Sequence, residues 1–85
     1  MKQFLYTITD PLGIHARPAG LLAKEAKKFG AACTITKDGQ TKKLTQLMMI
    51  MSLGVKQGDT VTIAADGADE DVAIEALEAF FKSNL

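Results

Sequence analysis

The chain has 85 residues, 47% of them hydrophobic and 24% charged, the proportions of one globular domain over residues 1–85, which excludes a disordered tail, a fibrous repeat and a second domain. Ten basic and ten acidic residues cancel overall, yet residues 1–43 hold eight of the basic ones against three acids, a local +5 balanced by −5 in the remainder. That distribution excludes a uniformly basic nucleic-acid binder and leaves room for a basic face that meets acidic or phosphorylated partners.

Cys33 is the only cysteine and His15 the only histidine. No internal disulfide can form, and the pair falls short of the four ligands of a structural zinc site, so neither metal nor cofactor is expected. No apolar run approaches the roughly 18 residues of a membrane span, and Met1-Lys2-Gln3-Phe4 runs into alternating residues without a signal-peptide core. The expectation is a cytoplasmic protein not inserted in a membrane.

In chain order, residues 2–9 alternate Phe4, Tyr6 and Ile8 against Leu5, Thr7 and Thr9, the period of a first strand. Asp10-Pro11-Leu12-Gly13 ends it with turn chemistry. Ala19, Leu22, Ala23, Ala26 and Phe29 then recur at helical spacing, and Pro18, tolerable only in a first turn, places the helix start at residue 16 or 17. Lys27, Lys28 and Gly30 mark its end, Gly30 as the C′ glycine. Residues 32–37 and 40–43 flank Asp38-Gly39, a hairpin signal that makes strands two and three antiparallel neighbours. Residues 47–53, stopped by Gly54, have the length of a short helix that is apolar on more sides than one core contact needs. Thr60 to Ala65 alternate as a fourth strand. A last helix runs from about Asp69, with Asp69, Glu70 and Asp71 at its positive end and Ala73, Ile74, Leu77, Phe80 and Phe81 on one face. The order βαββαβα specifies an α+β two-layer sandwich, a four-stranded antiparallel sheet covered on one face by three helices.

The segment Gly13-Ile14-His15-Ala16-Arg17-Pro18-Ala19 sets the lone histidine at a helix N-terminus beside an arginine. First-turn amides without intrahelical acceptors and the helix dipole favour an anion there, and Arg17 adds a charged fork suited to phosphate. A neutral imidazole can accept a phosphoryl group covalently. The same residues also fit a solvated or capping histidine and a surface arginine, and physics alone leaves both readings open. Cys33 reads as a small core residue. Lys24, Lys27 and Lys28 fit a solvated face or a docking patch; Met48, Met49 and Met51 fit core gap-fillers or an adaptable contact surface.

Taken with Met51-Ser52-Leu53-Gly54-Val55 and the Gly58 turn, the histidine segment resembles the histidine-containing phosphocarrier protein HPr family of the phosphoenolpyruvate-dependent sugar phosphotransferase system, over essentially the whole chain. The resemblance implies an open-faced β-sandwich in which His15 takes a phosphoryl group on Nδ1 from phosphorylated Enzyme I and passes it to the A domains of sugar-specific Enzymes II, a docking role that requires an open His15 face and so favours a monomer. It implies that Arg17 supports the phosphohistidine together with the amides of Ala16 and Arg17. Gly20, Lys24, Lys27, Leu47, Met48 and Met51 would form the surface that docks both partners. Many Gram-positive members carry a regulatory serine, the target of HPr kinase/phosphorylase, where this chain has Gln46, an amide that cannot accept a phosphoryl group. The alternative is a regulatory interaction protein of HPr type that binds an enzyme or transcription factor through the same face without relaying phosphate. A nucleic-acid binder is disfavoured by the scarcity of aromatics, only Phe4, Tyr6, Phe29, Phe80 and Phe81.

Overall fold

Seven elements, β1 (Lys2–Thr7), α1 (Ala16–Ala26), β2 (Ala32–Lys37), β3 (Gln40–Lys43), α2 (Leu47–Ser52), β4 (Thr60–Asp66) and α3 (Glu70–Asn84), follow one another in the computed structural model, which describes residues 1–85. The strands form one antiparallel sheet in the order β1-β4-β2-β3. Its centre is Ile63, paired with Phe4 on one side and Ile35 on the other. The hairpin between β2 and β3 turns through Asp38 and Gly39, at φ of 50° and 80°, the two left-handed positions that a two-residue turn requires.

The helices cover one face of the sheet. Alternation along β1, β2 and β4 sends Ile35, Val61, Ile63 and Ala65 inward and leaves the other face open, where Thr7 and Thr60, and Thr36 and Thr41, share hydroxyl hydrogen bonds of 2.8 Å. Against the inner face, Leu22 of α1, Ile50 of α2 and Leu77 and Phe81 of α3 are fully enclosed, each burial contributing roughly 1.5–3 kcal/mol. Phe81 meets the edges of Phe4, Tyr6 and Phe80 at centroid distances of 5.8, 5.5 and 6.3 Å. Cys33 lies within this core, and burial followed by the Asp69 charge pushes its thiol pKa up. No helix is long and apolar enough to cross a membrane.

Of the boundaries that differ from the sequence expectation, two do so for tertiary reasons. The first strand stops at Thr7 rather than residue 9: the Ile8 amide donates to Asp59 O at 2.9 Å and the Thr9 amide to Leu85 O at 2.6 Å, so these residues pair with a loop and the chain end instead of β4. Gly30 is not a left-handed cap. The helix ends at Ala26, the amides of Lys28 and Phe29 close tight turns on Glu25 O and Ala26 O, and the Gly30 amide donates to the Asp69 carboxylate at 2.9 Å. Gly54 does act as a C′ glycine, at φ 61° beyond α2.

Candidate functional site

The connection from β1 to α1 is held before it reaches His15. Asp10-Pro11-Leu12-Gly13 closes a turn in which the Gly13 amide donates to Asp10 O at 2.9 Å and the Leu12 amide to Asp10 Oδ1 at 2.8 Å. Gly13 adopts φ 67°, and a Cβ there would stand 2.7 Å from Lys56 Cα and on the Val55 carbonyl oxygen. That same oxygen accepts the Ile14 amide at 3.1 Å, and the Ile14 side chain is buried. At the far side of the turn, the Thr9 and Asp10 amides and the Thr9 hydroxyl all donate to Leu85 O. The loop is therefore clamped between residue 55 and the end of α3.

His15 is the N-cap residue of α1, extended at φ −90° and ψ 178°, and its carbonyl accepts the Ala19 amide at 3.0 Å. Its side chain caps nothing. The first-turn amides of Ala16 and Arg17 have no intrahelical acceptor, and Pro18 has no N–H to offer, so two donors with the positive end of the dipole stand beside the imidazole. Arg17 is exposed and forms no ion pair within the chain.

His15 and Arg17 border a shallow depression of about 250 Å³, lined also by Asp10, Pro18, Leu21 and Asn84. His15 Nε2 lies 3.6 Å from Asp10 Oδ2. A partly exposed imidazole, a free guanidinium and two free amides suit a small, doubly charged anion such as a phosphoryl group. The structure places His15 and Arg17 on this depression, with Ala16 between them in the first turn of α1. Asp10, Leu21, Asn84 and Leu85 were not expected at the site. Asp10 was visible only as turn chemistry, and Asn84 and Leu85 come from the other end of the chain.

The expected docking residues lie on two helices that touch each other. Lys24 and Lys27 are exposed on α1 with Gly20 half-buried, and Leu47, Met48 and Met51 are exposed on α2, which packs against α1. Met49 is exposed too, and Ile50 alone anchors α2. Core filling therefore does not account for the methionines. Lys28 pairs with Glu25 at 3.0 Å, whereas Lys24 and Lys27 pair with nothing in the chain. Gln46 is the exposed N-cap residue of α2, and its side chain makes no capping bond.

The model of the family described as "PTS HPr component phosphorylation site" matches residues 2–83. The chain belongs to the HPr family. Phosphocarrier protein HPr of Mycoplasma genitalium is 44% identical over 85 residues, covering 99% of this chain and 97% of the relative. Among solved structures, HPr-C-His from Thermoanaerobacter tengcongensis superposes with a TM-score of 0.93 at 41% identity, covering 98% of this chain and 93% of that one. The phosphocarrier protein HPr of Bacillus anthracis gives 0.87 at 39% identity, covering 94% and 95%. An HPr-family domain is a phosphocarrier of the phosphotransferase system rather than an enzyme in the usual sense.

Proposed function

We propose that the protein relays phosphoryl groups in the phosphoenolpyruvate-dependent sugar phosphotransferase system, taking one from phosphorylated Enzyme I on His15 Nδ1 and passing it to the A domains of Enzymes II. The observation that carries this reading is the meeting of a partly exposed imidazole and an unpaired guanidinium at one open depression, beside the first-turn amides of α1. The imidazole is the covalent acceptor. Arg17, with the amides of Ala16 and Arg17, holds the phosphoryl oxygens through charge-assisted bonds that position the group without burying it, so the next nucleophile can reach it.

Gly20, Lys24, Lys27, Leu47, Met48 and Met51 form the docking face for both partners, flexible methionines adapting to surfaces of different shape. Such a relay works in the cytoplasm, as a monomer whose His15 face stays open. Gln46 offers no hydroxyl, so HPr kinase/phosphorylase has no acceptor at that position.

Intact mass after incubation with phosphoenolpyruvate and purified Enzyme I tests the reading. One acid-labile phosphoryl adduct, absent in His15→Ala, is expected. An unmodified chain, with the same Enzyme I active on another carrier, would instead favour a regulatory binding protein.

A further inference from the structure

Asp10 belongs to the turn that follows β1, and its two carboxylate oxygens have different partners. Oδ1 accepts the Leu12 amide at 2.8 Å, which fixes the carboxylate plane, and Oδ2 then faces His15 Nε2 at 3.6 Å. The backbone on both sides is held, the Asp10 amide by Leu85 O at 3.0 Å and the Asp10 carbonyl by the Gly13 amide at 2.9 Å. Asp10 pairs with no lysine or arginine, and no other carboxylate pairs with His15.

A neutral imidazole carries its proton on one nitrogen and its lone pair on the other, and the partner of one nitrogen decides which. A carboxylate beside Nε2 favours the proton there and leaves the lone pair on Nδ1. We propose that Asp10 is a positioning residue for phosphoryl transfer, selecting the Nε2–H tautomer of His15 and orienting the ring so that Nδ1 attacks; this rests on the reading of His15 as the acceptor.

In that step the Nδ1 lone pair forms the new N–P bond as the bond from phosphorus to the donor atom breaks, and the donor keeps the electron pair. The Nε2 proton stays on the ring, and the positive charge the ring acquires faces the Asp10 carboxylate. At 3.6 Å the resting contact is electrostatic, longer than a hydrogen bond, and the cationic ring draws it shorter. Asp10 touches neither phosphorus nor the attacking nitrogen.

Asp10→Asn separates this role from that of the turn. Its amide oxygen can still accept the Leu12 amide, but the other position becomes a donor that cannot accept Nε2–H, whereas Asp10→Ala loses both functions. Nitrogen-15 shifts of the His15 ring, recorded on the protein alone above the imidazole titration, report the tautomer populations. The initial rate of phosphoryl acceptance from phosphoenolpyruvate and Enzyme I reports the consequence. The expected result is a mainly Nε2–H ring in the wild type, a lower Nε2–H fraction in Asp10→Asn, and acceptance slowed roughly two- to fivefold, the scale of a solvent-accessible charge contact.

Unchanged tautomer populations in Asp10→Asn overturn the proposal whatever the rate does, since a slower rate alone would assign Asp10 to the turn. The ring measurement needs no phosphoryl donor. Failure of the wild type to take a phosphoryl group would therefore remove the carrier reading, and the transfer role of Asp10 with it, separately from the tautomer result.

Discussion

The Val55 carbonyl oxygen occupies the space where a Cβ on Gly13 would stand, and the same oxygen receives the Ile14 amide one residue before His15. Gly13→Ala is expected to lose about 2–4 kcal/mol of stability, from the left-handed backbone and the overlap together. Gly39→Ala is the control: φ is 80° there too, but a Cβ would meet nothing within 4 Å, so only the backbone part, about 1–2 kcal/mol, should be lost. Urea unfolding of the two variants checks the difference, and equal losses would mean that contact with residue 55 does not constrain the loop.

Asp69 reaches back across the fold to the amides of Gly30 at 2.9 Å and Ala31 at 2.7 Å. It joins the start of α3 to the connection between α1 and β2, and it also contributes to the raised pKa of the Cys33 thiol. Asp69→Ala should destabilise the domain by about 2–4 kcal/mol, with Asp69→Asn costing less because one oxygen remains. Hydrogen exchange at Gly30 and Ala31 should accelerate in the same order. A fast thiol reaction in the folded wild type would contradict the enclosure of Cys33.

What was legible in the sequence was local. Asp38-Gly39 announces its hairpin because two adjacent residues carry the whole turn, and the start of α1 beside His15 was legible because Pro18 fits only a first turn. Long-range partners were not legible. Gly30 reads as a cap only until Asp69 supplies the acceptor its amide needs, and Asp10 reads as a turn residue until the fold sets its second oxygen against the imidazole. Leu85 gives no pattern at all, yet its carbonyl anchors the amides of Thr9 and Asp10.

Acid should weaken the domain through Asp59 and Glu70. The Lys56 amide at 2.8 Å, and then Lys37 Nζ at 3.0 Å, hold the Asp59 carboxyl below its usual pKa; the Gly67 amide, and then the Met1 ammonium, do the same for Glu70. Both folded values are lowered, so their stabilisation is fully present above the unfolded carboxylate values of about 4 and is lost as pH falls through the folded ones. The Met1 amine has the opposite sign. Chiefly through Glu70 its pKa is raised, so its contribution is full below the unfolded value of about 8 and fades as pH rises through the folded one. Asp59→Asn with Glu70→Gln should flatten the acid limb of the urea midpoint against pH, and an unaltered limb would assign it to other carboxylates.

Arg17 is exposed and unpaired within the chain, so its planar fork is available for a phosphoryl group beside His15. A lysine there keeps the charge but presents a compact ammonium that cannot donate two parallel bonds to neighbouring phosphoryl oxygens. Arg17→Lys should therefore slow transfer to an Enzyme II A domain by about tenfold, a loss of about 1.4 kcal/mol at the transition state. Folding stability should stay within about 0.5 kcal/mol of the wild type, because the exposed side chain supports no packing. Single-turnover transfer from the isolated phosphoprotein, measured beside urea unfolding, distinguishes the two effects, and unchanged transfer would take Arg17 out of the mechanism and leave the helix amides to hold the phosphoryl group alone.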